Sequence, residues 1–195
     1  MSDEAARWRF REEHAGVFAL LWRRLGEFDL VDVALADAYL AATAAWGDGI
    51  PHNPATWMAT VALSVTTGVV ARRPEVAPAS PQDDLRTLFA SCSHPGLTED
   101  QRALLLTRAA AGLMLFELAE LWASPEAELR RRLEGAKLGL RKLGGRAAAT
   151  TDELAARAAA SAEVIAHIRR APGAEAGAVA DLLAGHHGRA FRPRE

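Results

Sequence analysis

The densest run of chemistry-bearing side chains lies between residues 125 and 146. There Arg130, Arg131, Arg132, Lys137, Arg141, Lys142 and Arg146 stand against Glu126, Glu128 and Glu134, a local balance of +4. Cations gathered on one element suit phosphate, whose charge they neutralise, and arginine also forks onto guanine edges. Spacing separates these cations from Leu129, Leu133, Ala136, Leu140 and Leu143, which share one helical face. Arg130, Arg131, Lys137 and Arg141 are the residues this pattern marks for DNA contact. An ordinary amphipathic helix with a solvated basic face has the same pattern, so the residues alone leave both readings open.

Other reactive side chains are sparse. One cysteine, Cys92, excludes an internal disulfide and a cysteine-based zinc site. Cys92 and His94 read as parts of a packed or hydrogen-bonded loop, and His186 and His187 as parts of a solvated tail. Asp83 and Asp84 with Asp100 could be imagined as paired catalytic carboxylates. Asp100, however, is explained by a place in the first turn of a helix, where the helix dipole favours an acid. There is no Gly-rich phosphate loop, Ser-His-Asp arrangement or His-Glu-x-x-His motif. The expectation is therefore no catalytic residue, no cofactor, no metal and no small-molecule substrate: not an enzyme. Trp8, Trp22, Trp46, Trp57 and Trp122 are most simply core anchors.

The elements that must position the basic run follow from composition and punctuation. Half of the 195 residues are hydrophobic, with many Ala and Leu, which favours helix. A net charge of −2 argues against a generally basic nucleic-acid binder. Residues 112–122 and 125–143 read as a short helix, a tight turn with Ser124 as N-cap and Pro125 at the first helical position, and a longer basic helix. That is the layout of a helix-turn-helix.

Upstream, residues 5–25 and a helix starting near Asp29 are amphipathic, with Gly26 between them. Asn53 and Pro54 open a third segment. Residues 49–71 hold no Asp, Glu, Lys or Arg. A transmembrane helix is disfavoured there by Pro51, Pro54 and Gly68. A strand over residues 61–70 competes with a buried helix, and the helix is preferred because Trp57, Val61 and Val65 keep a four-residue spacing. Pro74, Pro78 and Pro81 mark a linker. Thr98 with Gln101, and Thr150 with Glu153, form capping boxes. A short last helix and a basic tail follow Pro172 and Gly173. The start of the chain lacks the pattern of a signal peptide, so a cytoplasmic location is expected. The expected fold class is all-α. Two small helical domains, residues 1–73 and 83–145, are joined by a Pro-rich linker over 74–82 and followed by C-terminal helices over 146–195.

This order of parts resembles a small two-domain sigma factor. Residues 28–40 (FDLVDVALADAYL) look like the helix with which such factors grip the polymerase clamp. Residues 48–62 (DGIPHNPATWMATVA) resemble the segment leading into the promoter-melting helix. Residues 83–95 (DDLRTLFASCSHP), with the helix-turn-helix after them, resemble the linker and fourth region of one group of extracytoplasmic-function sigma factors. The resemblance covers about residues 8–143. That group usually carries a large helical-repeat extension, which these residues do not contain.

The resemblance implies a region-2-like domain, a region-4-like domain and two partners. Core RNA polymerase would be bound by Asp29, Leu30, Asp32, Leu35 and Asp37, and promoter DNA by the second helix of the helix-turn-helix. No membrane partner is implied. There are departures. Where the family continues with a basic melting helix, residues 63–71 read LSVTTGVVA. Gly135 stands where a DNA-facing arginine is usual. The alternative is a degenerate sigma-fold regulator acting by protein contact, as decoy, anti-sigma partner or adaptor, without promoter melting.

Overall fold

The computed structural model describes residues 3–47, 49–66, 78–145 and 150–193, and among these every regular element is an α-helix. Helix α1 is Asp3–Leu25, closed by Gly26 at φ 69°. Helix α2 is Phe28–Ala45. Helix α3, Pro54–Ser64, starts where Asn53 accepts the Thr56 N–H and Pro54 takes a position whose N–H would have no partner. Helix α4 is Pro81–Cys92, capped by Ser80, and α5 is Glu99–Ala109, opened by the Thr98–Gln101 capping box. The short α6, Leu115–Leu121, precedes α7, Glu126–Lys142. Helix α8, Thr151–Arg169, carries the Thr150–Glu153 box, and α9 is Ala176–Phe191.

Three expectations change. Helix α3 is shorter than the uncharged stretch, and residues 61–64, offered as the start of a strand, are helical. The remainder of that stretch from residue 67 lies outside the described residues, as does most of the proline linker. Pro81 and Gln82 are not linker but the first turn of α4, because Ser80 caps a helix that starts two residues before Asp83. The last helix is not short. Ala176, Val179, Ala180, Leu183, His186 and Ala190 give it an inward face about four turns long.

Helix α1 organises the core. Phe10, Phe18, Leu21, Trp22 and Leu25 are buried, and α1 packs on α2, α3 and α4. Helix α9 lies on α8 and α4, and α7 on α5 and α6. The buried apolar residues form one continuous cluster from Ala6 to Ala190. At α6, Gly173 donates its N–H to the Leu121 carbonyl at 2.9 Å, and a Cβ there would stand 2.5 Å from Leu121 Cα. Only glycine lets the α8–α9 corner sit so close to α6. No described helix is long and apolar enough to cross a membrane.

Candidate functional site

Helices α6 and α7 are joined by a turn in which Ala123 takes φ 45° and Ser124 donates its N–H to the Ala119 carbonyl at 3.0 Å. Glu117 ties the start of α6, accepting the Met114 N–H at 2.7 Å. Helix α7 then buries Leu129, Leu133, Ala136 and Leu140. Each fully buried leucine is worth about 1.5–3 kcal/mol, more than an exposed ion pair, so this face fixes the rotation of α7. Pro125 is the residue before the helix rather than its first member, one position off the expected start.

The cations of α7 have three different fates. Arg130 and Arg131 are exposed and pair with no carboxylate among the described residues. Arg132 turns back onto Asp100 in the first turn of α5, which gives Asp100 a structural role. Lys137 is buried. Its Nζ lies 2.6 Å from Asp32 Oδ2, 3.0 Å from Glu134 Oε1 and 3.4 Å from Asp29 Oδ1. Arg141, with its side chain 65% exposed, reaches Asp29 Oδ2 at 3.1 Å.

Asp32 is the hub. Arg108 of α5 donates Nε to its carboxylate and an Nη to the Leu113 carbonyl at 2.7 Å. Burial alone would push the Asp32 carboxyl up, but Arg108 and Lys137 outweigh it and hold the carboxyl below its ordinary value. Burial would likewise push Lys137 down, yet Asp32 and Glu134 hold it above its ordinary value. Both groups are therefore charged near neutrality, and the buried charges compensate one another.

The structure splits each expected surface. Of the five residues expected to meet polymerase, Asp37 is exposed and Asp29 and Leu30 are half-buried. Asp32, at 6% exposure, and Leu35, at 0%, face inward and are not on an outer face. The cause is Arg108, far away in the sequence, which draws Asp32 in. Leu35 shares the inward face with Val31, Ala38 and Ala42. The outer face instead shows Val33 at 61% and Leu40 at 64%, on either side of Asp37. Their spacing around Asp37 (i, i+4, i+7) was the available signal. Of the four expected DNA residues, Arg130, Arg131 and Arg141 are exposed and Lys137 is not.

Other candidates resolve into packing. Cys92 is fully buried, which pushes its thiol up and leaves no thiolate for chemistry. His94 Nδ1 accepts the Gly96 N–H at 3.0 Å. Asp84 meets Arg23 of α1 at 2.8 Å. His186 is not in a solvated tail: it is buried in α9 against Arg189, while His187 packs on Phe89 and Phe191. Trp22 and Trp46 are buried, Trp57 packs on Trp46, and Trp122 stacks on His167. A second buried ion pair, not expected from the sequence, joins Arg11 of α1 to Glu117 of α6 at 2.9 Å, with Glu175 at 2.7 Å. Among the described residues no group of three or more His, Cys, Asp or Glu could hold a metal. No family model, curated protein or solved structure matches the chain.

Proposed function

We propose that the chain is a sigma-factor-like transcription initiation protein of the extracytoplasmic-function kind, binding core RNA polymerase through α2 and promoter DNA through α7. The observation that carries this reading is the pair of unpaired arginines, Arg130 and Arg131, on the outward side of the second helix of a helix-turn-helix. In that role α7 enters the major groove, with Arg130, Arg131 and Arg141 reaching phosphates and guanine edges. Helices α1–α3 act as the region-2-like part and α4–α7 as the region-4-like part. The protein-binding face of α2 is Val33, Asp37 and Leu40 with the half-buried Asp29 and Leu30, rather than Asp32 and Leu35.

A specific observation favours a second reading, a sigma-fold regulator that acts by protein contact alone. The described part of α3 shows Thr56, Thr60 and Ser64 outward and no cation. Hydroxyls can hydrogen-bond to unpaired bases, but nothing there draws in phosphate.

Co-purification of the intact chain with core RNA polymerase tests the proposal. Wild-type chain should co-elute, and Leu40→Asp should not, while its helical circular dichroism stays unchanged. Failure of the wild type to co-elute would remove the initiation-factor reading.

A further inference from the structure

Lys137 and Arg141, the inner edge of the α7 basic face, are held by Asp29 and Asp32 of α2, the inner edge of the proposed protein-binding face. Each surface thus occupies part of the other. Three features make this a contact built to exchange. First, α7 packs its apolar face on α5 and α6 and reaches α2 through long side chains, so the pairs can part without unpacking a core. Second, when Lys137 parts from Asp32, Asp32 keeps Arg108 and Lys137 keeps Glu134, so the exchange strands no buried charge. Third, Arg130, Lys137 and Arg141 recur at i, i+7 and i+11 and share one edge of α7. A phosphate chain drawn to the unpaired Arg130 therefore runs beside the two engaged cations. Arg141, in the more exposed pair, exchanges first, and Lys137 follows.

We infer that this α2–α7 clasp couples the two surfaces: duplex DNA that takes Arg141 and Lys137 frees Asp29 for a basic partner, and a basic partner at Asp29 frees Arg141 for DNA and loosens Lys137, which Asp32 and Glu134 still hold. The inference rests on the reading of α7 as a DNA helix. Coupling of this kind is reciprocal, each ligand raising the affinity of the other by the same factor. Because the clasp is ionic, it also weakens as salt rises.

A double-mutant cycle on the intact chain tests it, using fluorescence anisotropy with a short duplex DNA of arbitrary sequence over a salt series. Asp29→Asn should tighten DNA binding about fivefold or more. It should also steepen the salt slope of log K by about 0.9 for each cation released. Arg141→Ala alone should change binding little, because in the wild type the DNA contact it gains is offset by the Asp29 contact it gives up. In the Asp29→Asn background the same substitution should remove most of the gain. Strictly additive effects would mean that Asp29 acts only as a distant negative charge and would overturn the clasp while leaving α7 as the DNA helix. If no variant binds DNA, the clasp and the DNA reading both fall.

Discussion

Helices α2 and α7 meet through Asp29, Asp32, Lys137 and Arg141, yet only α7 buries the apolar face that its period marks. In α7 every residue assigned to the apolar face is buried or half-buried, and the exceptions to the pattern are Lys137, buried at its edge, and Leu138, exposed. In α2 an acid is buried and two large apolar side chains are exposed. The difference is in composition. Helix α7 carries most of its charge outside one apolar stripe, with Leu138 the large apolar exception, so the stripe must face inward. Helix α2 is apolar nearly all round, so period alone leaves its rotation undetermined. There a partner distant in sequence, Arg108, decides which side turns in. Helical period is informative only where one face is too polar to bury, and elsewhere the choice rests on long-range charge.

The sharpest break of that comparison is Asp32→Ala. It leaves Arg108 and Lys137 without their shared carboxylate, and stability should fall by about 3–5 kcal/mol in urea denaturation. Asp37→Ala, on the outer side of the same helix, should cost less than about 0.5 kcal/mol. Equal effects would mean that α2 is rotated wrongly. The apolar counterpart comes next: Leu35→Ala should cost about 2–5 kcal/mol, and Leu40→Ala should be near neutral by the same measurement.

Acid acts on the core outside both helices. Burial, with Arg108 beside it, pushes His14 down to about 3, and Asp32 opposes this only in part. Burial and Arg189 push His186 down to about 4. Both are neutral when folded but take up protons near pH 6.5 when unfolded. Stability is therefore full above pH 6.5 and drains as pH falls toward 4, by up to about 1.4 kcal/mol per pH unit for each histidine. Neither histidine lies on α2 or α7: His14 is in the middle of α1, against Gly112, and His186 is in α9. Denaturation midpoints across pH 4–7 would show the drain, and His14→Leu should flatten the curve; an unchanged slope would place the acid sensitivity elsewhere. The smallest effect is expected at the turn before α7. Ala123→Gly relieves a left-handed alanine and should raise stability by up to about 1 kcal/mol in thermal denaturation.

What was legible in the residues was local. Capping boxes at Thr98 and Thr150, the proline opening α3, and glycines after α1 and α5 mark helix ends through groups only a few positions apart, whereas Pro81, which reads as linker, opens α4. Fold class and the α7 core followed from these and from periodicity. What was not legible depends on pairs far apart in the chain: Asp32 with Arg108, Arg11 with Glu117, Gly173 against Leu121. The burial of Asp32, Leu35 and His186 belongs to this second kind. So does the division of the basic face into free Arg130 and Arg131 and engaged Lys137 and Arg141. Nothing local distinguishes these four cations; α2 does, by placing Asp29 and Asp32 within reach of one edge of their helix.

The central claim, that this chain directs RNA polymerase through an α7 held in DNA, is tested most directly by run-off transcription. Core polymerase would be assayed on the DNA upstream of the chain's own gene, with and without the intact protein. The account predicts a transcript that depends on the wild-type chain and is lost with Arg130→Ala/Arg131→Ala, while polymerase co-purification survives that change. Polymerase binding without any transcript would contradict initiation and leave the protein-contact regulator as the better account.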